Sequence, residues 1–185
     1  MAALAVCLGH SLGAAESGAT FSADAVKAAY LVNFIRFTEW PAPSPAENAP
    51  IIIGIAGNRE LEDNLFKVID GKLLQGHKVR VRRLTAPPEA ADCQLIYIQP
   101  PPRTGTSPFS SDDWLRAVRG APVITVSEEE GFLQKGGMIN FYADNKNLRF
   151  EISPRAAELA RLKLSSRLLA IARVVKVEPP ASSAP

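Results

Sequence analysis

Histidine and cysteine are scarce in this 185-residue chain, with two of each. The histidines are His10 and His77, the cysteines Cys7 and Cys93. A structural or catalytic zinc site needs three or four well-spaced ligands, mostly of these two types, so none is expected. A Ser-His-Asp or Cys-His arrangement would have to use His77 with a distant nucleophile, and nothing around Cys93 resembles a nucleophile elbow. His77 lies in the turn Gln75-Gly76-His77 and reads as an exposed, solvated side chain. No metal site, cofactor or catalytic set is expected. Charge of one sign is also missing: 21 Lys and Arg stand against 19 Asp and Glu, a net charge of +2. That balance gives no push toward nucleic acid. No stretch has the roughly 18 uninterrupted apolar residues of a membrane span.

Residues 1–15 contain no Lys, Arg, Asp or Glu and end in Gly13-Ala14-Ala15. Their small, apolar character reads as a signal peptide with cleavage before Glu16, although the positive n-region is missing. Residues 16–23 would be a linker, 24–175 the folded domain and 176–185 a polar, proline-rich, disordered tail. Cleavage would leave Cys93 alone, so no internal disulfide is expected. The run Asp92-Cys-Gln-Leu-Ile-Tyr-Ile98 predicts a buried thiol, with a bridge to a second chain as the alternative.

Apolar residues make up 46% of the chain, enough for one core. The segment from Ala25 to Pro41 predicts a helix of about four turns that starts at Asp24 as N-cap and stops before Pro41. Tyr30, Phe34, Phe37 and Trp40 recur at helical spacing, while Ala28, Leu31, Val32 and Ile35 make the flanks apolar too. A helix apolar nearly all round must be covered on more than one side. The four aromatics are therefore candidate contacts with a second chain, either another copy or a partner.

Ile51-Ile-Ile-Gly-Ile-Ala56 predicts a strand buried on both faces, and Glu60–Ile69 a helix stopped by Gly71. Lys78-Val-Arg-Val-Arg82 alternates with period two, so Lys78, Arg80 and Arg82 form one basic face. That face is either solvated or a site for an acidic partner. Strands are expected at 95–98 and 122–126, with a short helix at 112–118 between them and a loop at 100–106. A hairpin follows, from Met138–Ala143 to Leu148–Ile152, turning at 144–147. Ser153-Pro154 caps a final segment, 155–175, read as helical with a break at Ser165-Ser166. The fold class is α/β: a single domain with a mixed central sheet, helices on both faces, and a C-terminal hairpin and helices. The carboxylate runs Glu128–Glu130 and Asp112-Asp113 read as solvated helix starts. Gly54-Ile-Ala-Gly57 lacks the third glycine and acidic partner of a dinucleotide site and reads as a tight strand-to-helix turn. A small ligand at Gly54, Gly57 and Asn58 stays open, since α/β folds place ligands at such sheet ends.

Val26-Lys-Ala-Ala-Tyr-Leu-Val-Asn-Phe-Ile-Arg-Phe-Thr-Glu-Trp-Pro41 resembles the opening of the YfiR/HmsC family of exported bacterial proteins. Further landmarks follow in family order: Ile53–Gly57, Asp92–Ile98, Val123–Ser127, Phe132 with Gly136-Gly-Met-Ile-Asn-Phe141, Leu148–Ile152 and Ala156–Leu169. The resemblance covers residues 24–173. It implies a periplasmic regulator without catalysis that binds the periplasmic sensor domain of an inner-membrane diguanylate cyclase. Cyclic di-GMP synthesis would be repressed, favouring motility over biofilm. It also implies dimers, and a redox-sensitive disulfide in some members that Cys93 alone cannot form. The residues by themselves leave a rival: a periplasmic small-molecule binding module with its ligand near Gly54–Asn58.

Overall fold

The computed structural model describes residues 22–100, 108–145 and 147–177. The expected signal peptide, most of the linker, most of the 100–106 loop and residues 178–185 of the tail lie outside the described residues.

The first helix, α1, runs Ala23–Arg36. Its N-cap is Ser22, not the expected Asp24: the Ser22 hydroxyl accepts the amide of Ala25 at 3.2 Å. Asp24 sits in the first turn, where a carboxylate complements the positive end of the helix. The helix also stops earlier than expected. Thr38 Oγ1 donates to the carbonyl of Phe34 at 2.7 Å, and the Gln75 amide donates to the carbonyls of Ile35 and Thr38. The bonds to Phe34 and Ile35 satisfy carbonyls that the helix end leaves open. The chain then extends as β1, Thr38–Glu39, which leaves Trp40 outside the helix.

The parallel core follows as β2 (Ile51–Ala56), α2 (Arg59–Ile69), β3 (Leu73–Leu74), β4 (His77–Leu84), a 3-10 turn (Pro87–Asp92), β5 (Leu95–Ile98), α3 (Ser111–Ala117) and β6 (Ile124–Ser127). Asp112 and Asp113 do open α3: Ser110 and Asp113 form a reciprocal capping box. β7 (Ile139–Asp144) and β8 (Asn147–Ile152) are the expected antiparallel hairpin.

The end of the chain departs from the expected pair of helices. It folds as α4 (Pro154–Leu159), β9 (Lys163–Leu164), α5 (Ser166–Ile171) and β10 (Arg173–Val174). The cap and Pro start of α4 are as expected, and Ser165 caps α5. Arg161, at φ 58°, takes the left-handed conformation that ends α4. Leu162 then turns into the core, and Lys163–Leu164 pair antiparallel with Thr38–Glu39. Pairing with a distant segment overrode local helix propensity here.

Eight strands form one mixed sheet in the order β10-β8-β7-β6-β5-β2-β4-β3. The run β7-β6-β5-β2-β4 is parallel, flanked by antiparallel β8 and β3. Side-chain alternation divides the core in two. Ile51, Ile53 and Ile55 of β2, with Leu95 and Tyr97 of β5, share one cluster with α1 and α2. Ala56, Ile96 and Ile98 share the other with Trp114 and Val118 of α3 and its C-terminal end, and with Phe132. Helices thus cover both faces of a mixed sheet, the expected fold class. Ala28, Leu31, Val32, Phe34 and Ile35 of α1 find their cover within the chain, among the sheet, α2 and the β7–β8 hairpin, while Val26 and Tyr30 are only half-buried.

Glycine is required by packing at two landmarks. A Cβ on Gly54 would lie 2.6 Å from Leu84 Cδ1 and 2.9 Å from Cys93 Sγ. A Cβ on Gly137 would overlap the Phe132 ring.

Candidate functional site

β2 lies between β4 and β5, and the chain leaves it first to one side and then to the other. The carboxyl ends of β2 and β5 therefore flank the topological switch point, where open α/β sheets form a crevice. Gly57 and Asn58 follow β2 there, and Gln99 follows β5. Glu128 follows β6 on the same edge.

The first turn of α1 reaches into this crevice. Lys27 Nζ lies 2.9 Å and 2.8 Å from the two oxygens of Glu128, and 3.1 Å from Asp24 Oδ1. Its side chain is 8% exposed. Tyr97, buried in β5, donates its hydroxyl to Glu128 Oε1 at 2.7 Å. The Asn58 amide donates to Gln99 Oε1 at 3.0 Å and to Asp24 Oδ1 at 3.2 Å, while its carbonyl oxygen caps α2 by accepting the Leu61 amide. Three carboxylate oxygens thus lie within 3.1 Å of the Lys27 ammonium. A buried charge is stable only when paired in this way.

Burial lowers the Lys27 pKa, but the hydrogen bonds and charges of Glu128 and then Asp24 outweigh it, so the net shift is upward. Burial, reinforced by Glu128, pushes the Tyr97 phenol well up, so it remains a donor at all working pH values. The crevice is thus filled by the chain's own cation, two carboxylates and a phenol. Chemically it is a latch that fastens α1 to the ends of β2, β5 and β6. Glu128, expected as a solvated helix start, is an acceptor in this latch.

The other sequence-predicted residues fall in separate places. Gly54 is buried under Leu84 and Cys93, away from the crevice opening. Gly57 (φ 88°) and Asn58 are at the crevice, with Asn58 fully engaged. Phe34 is completely buried, stacked on Tyr30 at 6.0 Å between ring centres and edge-on to Phe150 at 5.0 Å. Tyr30, Phe37 and Trp40 are half-buried. Trp40 Nε1 donates to the Pro122 carbonyl at 2.8 Å. The four aromatics do not form one helical stripe, because Phe37 caps α1 and Trp40 lies beyond it.

Lys78 and Arg80 point to solvent from β4; Arg82, on the same side, reaches the exposed Asp92 at 3.7 Å. Neither Lys78 nor Arg80 has an ion pair among the described residues. The three cations form a continuous basic row on the face away from α1 and α2. His77 is half-buried rather than solvated: its Nδ1 lies 2.7 Å from the Ala49 carbonyl, so Nδ1 carries the proton. Cys93 is 2% exposed, and burial pushes its thiol up to about 11. Among the described residues no His, Cys, Asp and Glu group could hold a metal, and no helix is long and apolar enough to cross a membrane.

Sequence reasoning missed Lys27, Tyr97, Gln99 and Glu128 as a unit. The signal was present as single polar residues in apolar runs: Lys27 in α1 and Tyr97 in β5. Each such residue needs a partner, but only the fold says which. Gln75, the helix-closing donor, carried no signal beyond its place in a Gln-Gly turn.

The latch joins the segments whose order in the sequence was informative. Lys27, Asn58, Tyr97 and Glu128 each lie in or beside a different landmark. No curated protein matches the chain. The YfiR/HmsC-like family model matches residues 24–173, from Asp24 in the latch to Arg173 in the last strand. The chain belongs to the YfiR/HmsC-like family.

Proposed function

We propose that this protein is a periplasmic regulator that binds the sensor domain of an inner-membrane diguanylate cyclase and represses cyclic di-GMP synthesis. Biofilm formation and motility would follow. Family membership over residues 24–173 is the observation that carries this reading. The site geometry is compatible with action by contact: the crevice is latched by internal pairs, and no nucleophile–base pair stands out in it.

Two surfaces suit a partner. One is aromatic: Phe37 and Trp40, half-buried where the chain leaves α1, and apart from them Tyr30, half-buried beside the β7–β8 hairpin with Phe34 as support beneath it. The other is the basic row Lys78, Arg80 and Arg82, which suits an acidic face. A homodimer through either surface belongs to the same reading. No observation at Gly54–Asn58 favours a ligand there, because Gly54 is occupied by packing and Asn58 by capping.

Deleting the gene should raise cellular cyclic di-GMP, and an exported copy should restore it. Unchanged cyclic di-GMP in the deletion strain would overturn the proposal.

A further inference from the structure

A second concavity, of about 530 Å³, shares no residue with the latch and opens between α3, α4 and the start of β6. This is within the usual range for a small-molecule site. Its walls include Leu115, Val118, Leu133, Met138, Leu159 and Val177. Leu159 stands on the rim and is 62% exposed, a large aliphatic group left without cover. The floor hydroxyls of Ser153 and Thr125 accept the backbone amides of Ala156 and Met138.

Charge around the opening has one sign in excess. Arg119, Lys135 and Arg155 line it, and Arg161 donates to the lining carbonyl of Gly120 at 3.3 Å. Lys135 is held by Glu129 and Asp112, and Arg155 by Glu158. Arg119 and Arg161 have no ion pair among the described residues. An apolar interior beside two uncompensated guanidinium groups is complementary to an apolar body carrying one carboxylate.

We propose that this cavity binds a small amphipathic monocarboxylate, its hydrocarbon or ring against Leu133, Met138 and Leu159 and its carboxylate at Arg119. Val177 forms part of the wall, so occupancy also touches the segment that leads from β10 to the C-terminus. The proposal goes beyond the cyclase reading, and its test uses the isolated protein alone.

Calorimetric titration with decanoate is the test, with decylamine as the control of equal chain length and opposite charge. Saturable one-to-one decanoate binding is expected, at least tenfold tighter than decylamine. Arg119→Glu and Leu159→Glu each alter an exposed side chain, should keep the melting temperature, and should each weaken decanoate binding at least tenfold. Equal binding of both probes, binding that never saturates, or variants that bind as wild type would overturn the proposal. Binding that appears only after truncation beyond Val177 would assign the cavity to the chain's own tail. Binding lost as protein concentration rises would assign it to a second copy. Either result also overturns the small-carboxylate assignment.

Discussion

A single cation shows how this molecule treats buried charge. Lys27 is acceptable inside because Glu128 and Asp24 meet it at hydrogen-bonding distance. Lys27→Met should destabilise by about 1–3 kcal/mol, below the cost of breaking a fully buried pair, because Glu128 is partly exposed and can rehydrate. Denaturant midpoints of the two proteins measure this. The raised Lys27 pKa means its stabilisation is fully present below the unfolded-state value and is lost as pH rises through the folded one. The midpoint gap between wild type and Lys27→Met should therefore hold from neutral to mildly alkaline pH and close only under strong alkali. Cys93 gives a second prediction at this scale. A buried thiol with a pKa pushed up to about 11 is protonated at pH 8 and shielded. Iodoacetamide should label it slowly in the native state and rapidly in denaturant; equally fast native labelling would show an accessible thiol.

Within α1 the aromatic residues divide by burial, and that division makes their roles separable. Phe34 is fully enclosed by Tyr30, Phe141 and Phe150, so Phe34→Ala should cost about 3–5 kcal/mol of stability. Phe37 and Trp40 are half-buried, and their alanine variants should melt closer to wild type. If this edge meets the cyclase sensor, those variants lose association by about 2 kcal/mol or more while staying folded. Early melting with intact association would make the edge core instead. β4 carries the competing surface. Lys78→Glu with Arg80→Glu alters two exposed side chains, so the fold should persist. Association through this row should fall and should depend steeply on salt, because exposed charges are screened over about 10 Å at 0.1 M ionic strength. Measuring partner affinity at two salt concentrations decides between the surfaces.

For the whole molecule, the proposed periplasmic role requires export. Mature protein from the periplasm should begin near Glu16, and N-terminal sequencing checks it. Full-length chain found only in the cytoplasm would remove both the secretory reading and the sensor-domain partner. Strand and helix alternation from Ile51 to Ser127, the 139–152 hairpin and the basic face of β4 were all readable in advance. They rest on periodicity over neighbouring residues, and periodicity is a local property. The latch was not readable, because its members come from α1 and the ends of three strands.

By itself, the sequence determined the alternating core, the buried setting of Cys93, the Ser153-Pro154 helix start and the order of landmarks that marks the family. Each depends on residues close in the chain or on their order along it. Only the tertiary structure decided that α1 ends at Arg36 and that Lys163–Leu164 is a strand. Both outcomes come from hydrogen bonds to segments far away in sequence, Gln75 in one case and Thr38–Glu39 in the other. The same holds for the switch-point crevice. Strand order places Asn58, Gln99 and Glu128 on one edge, and burial there leaves Lys27 stable only beside the carboxylates of Glu128 and Asp24.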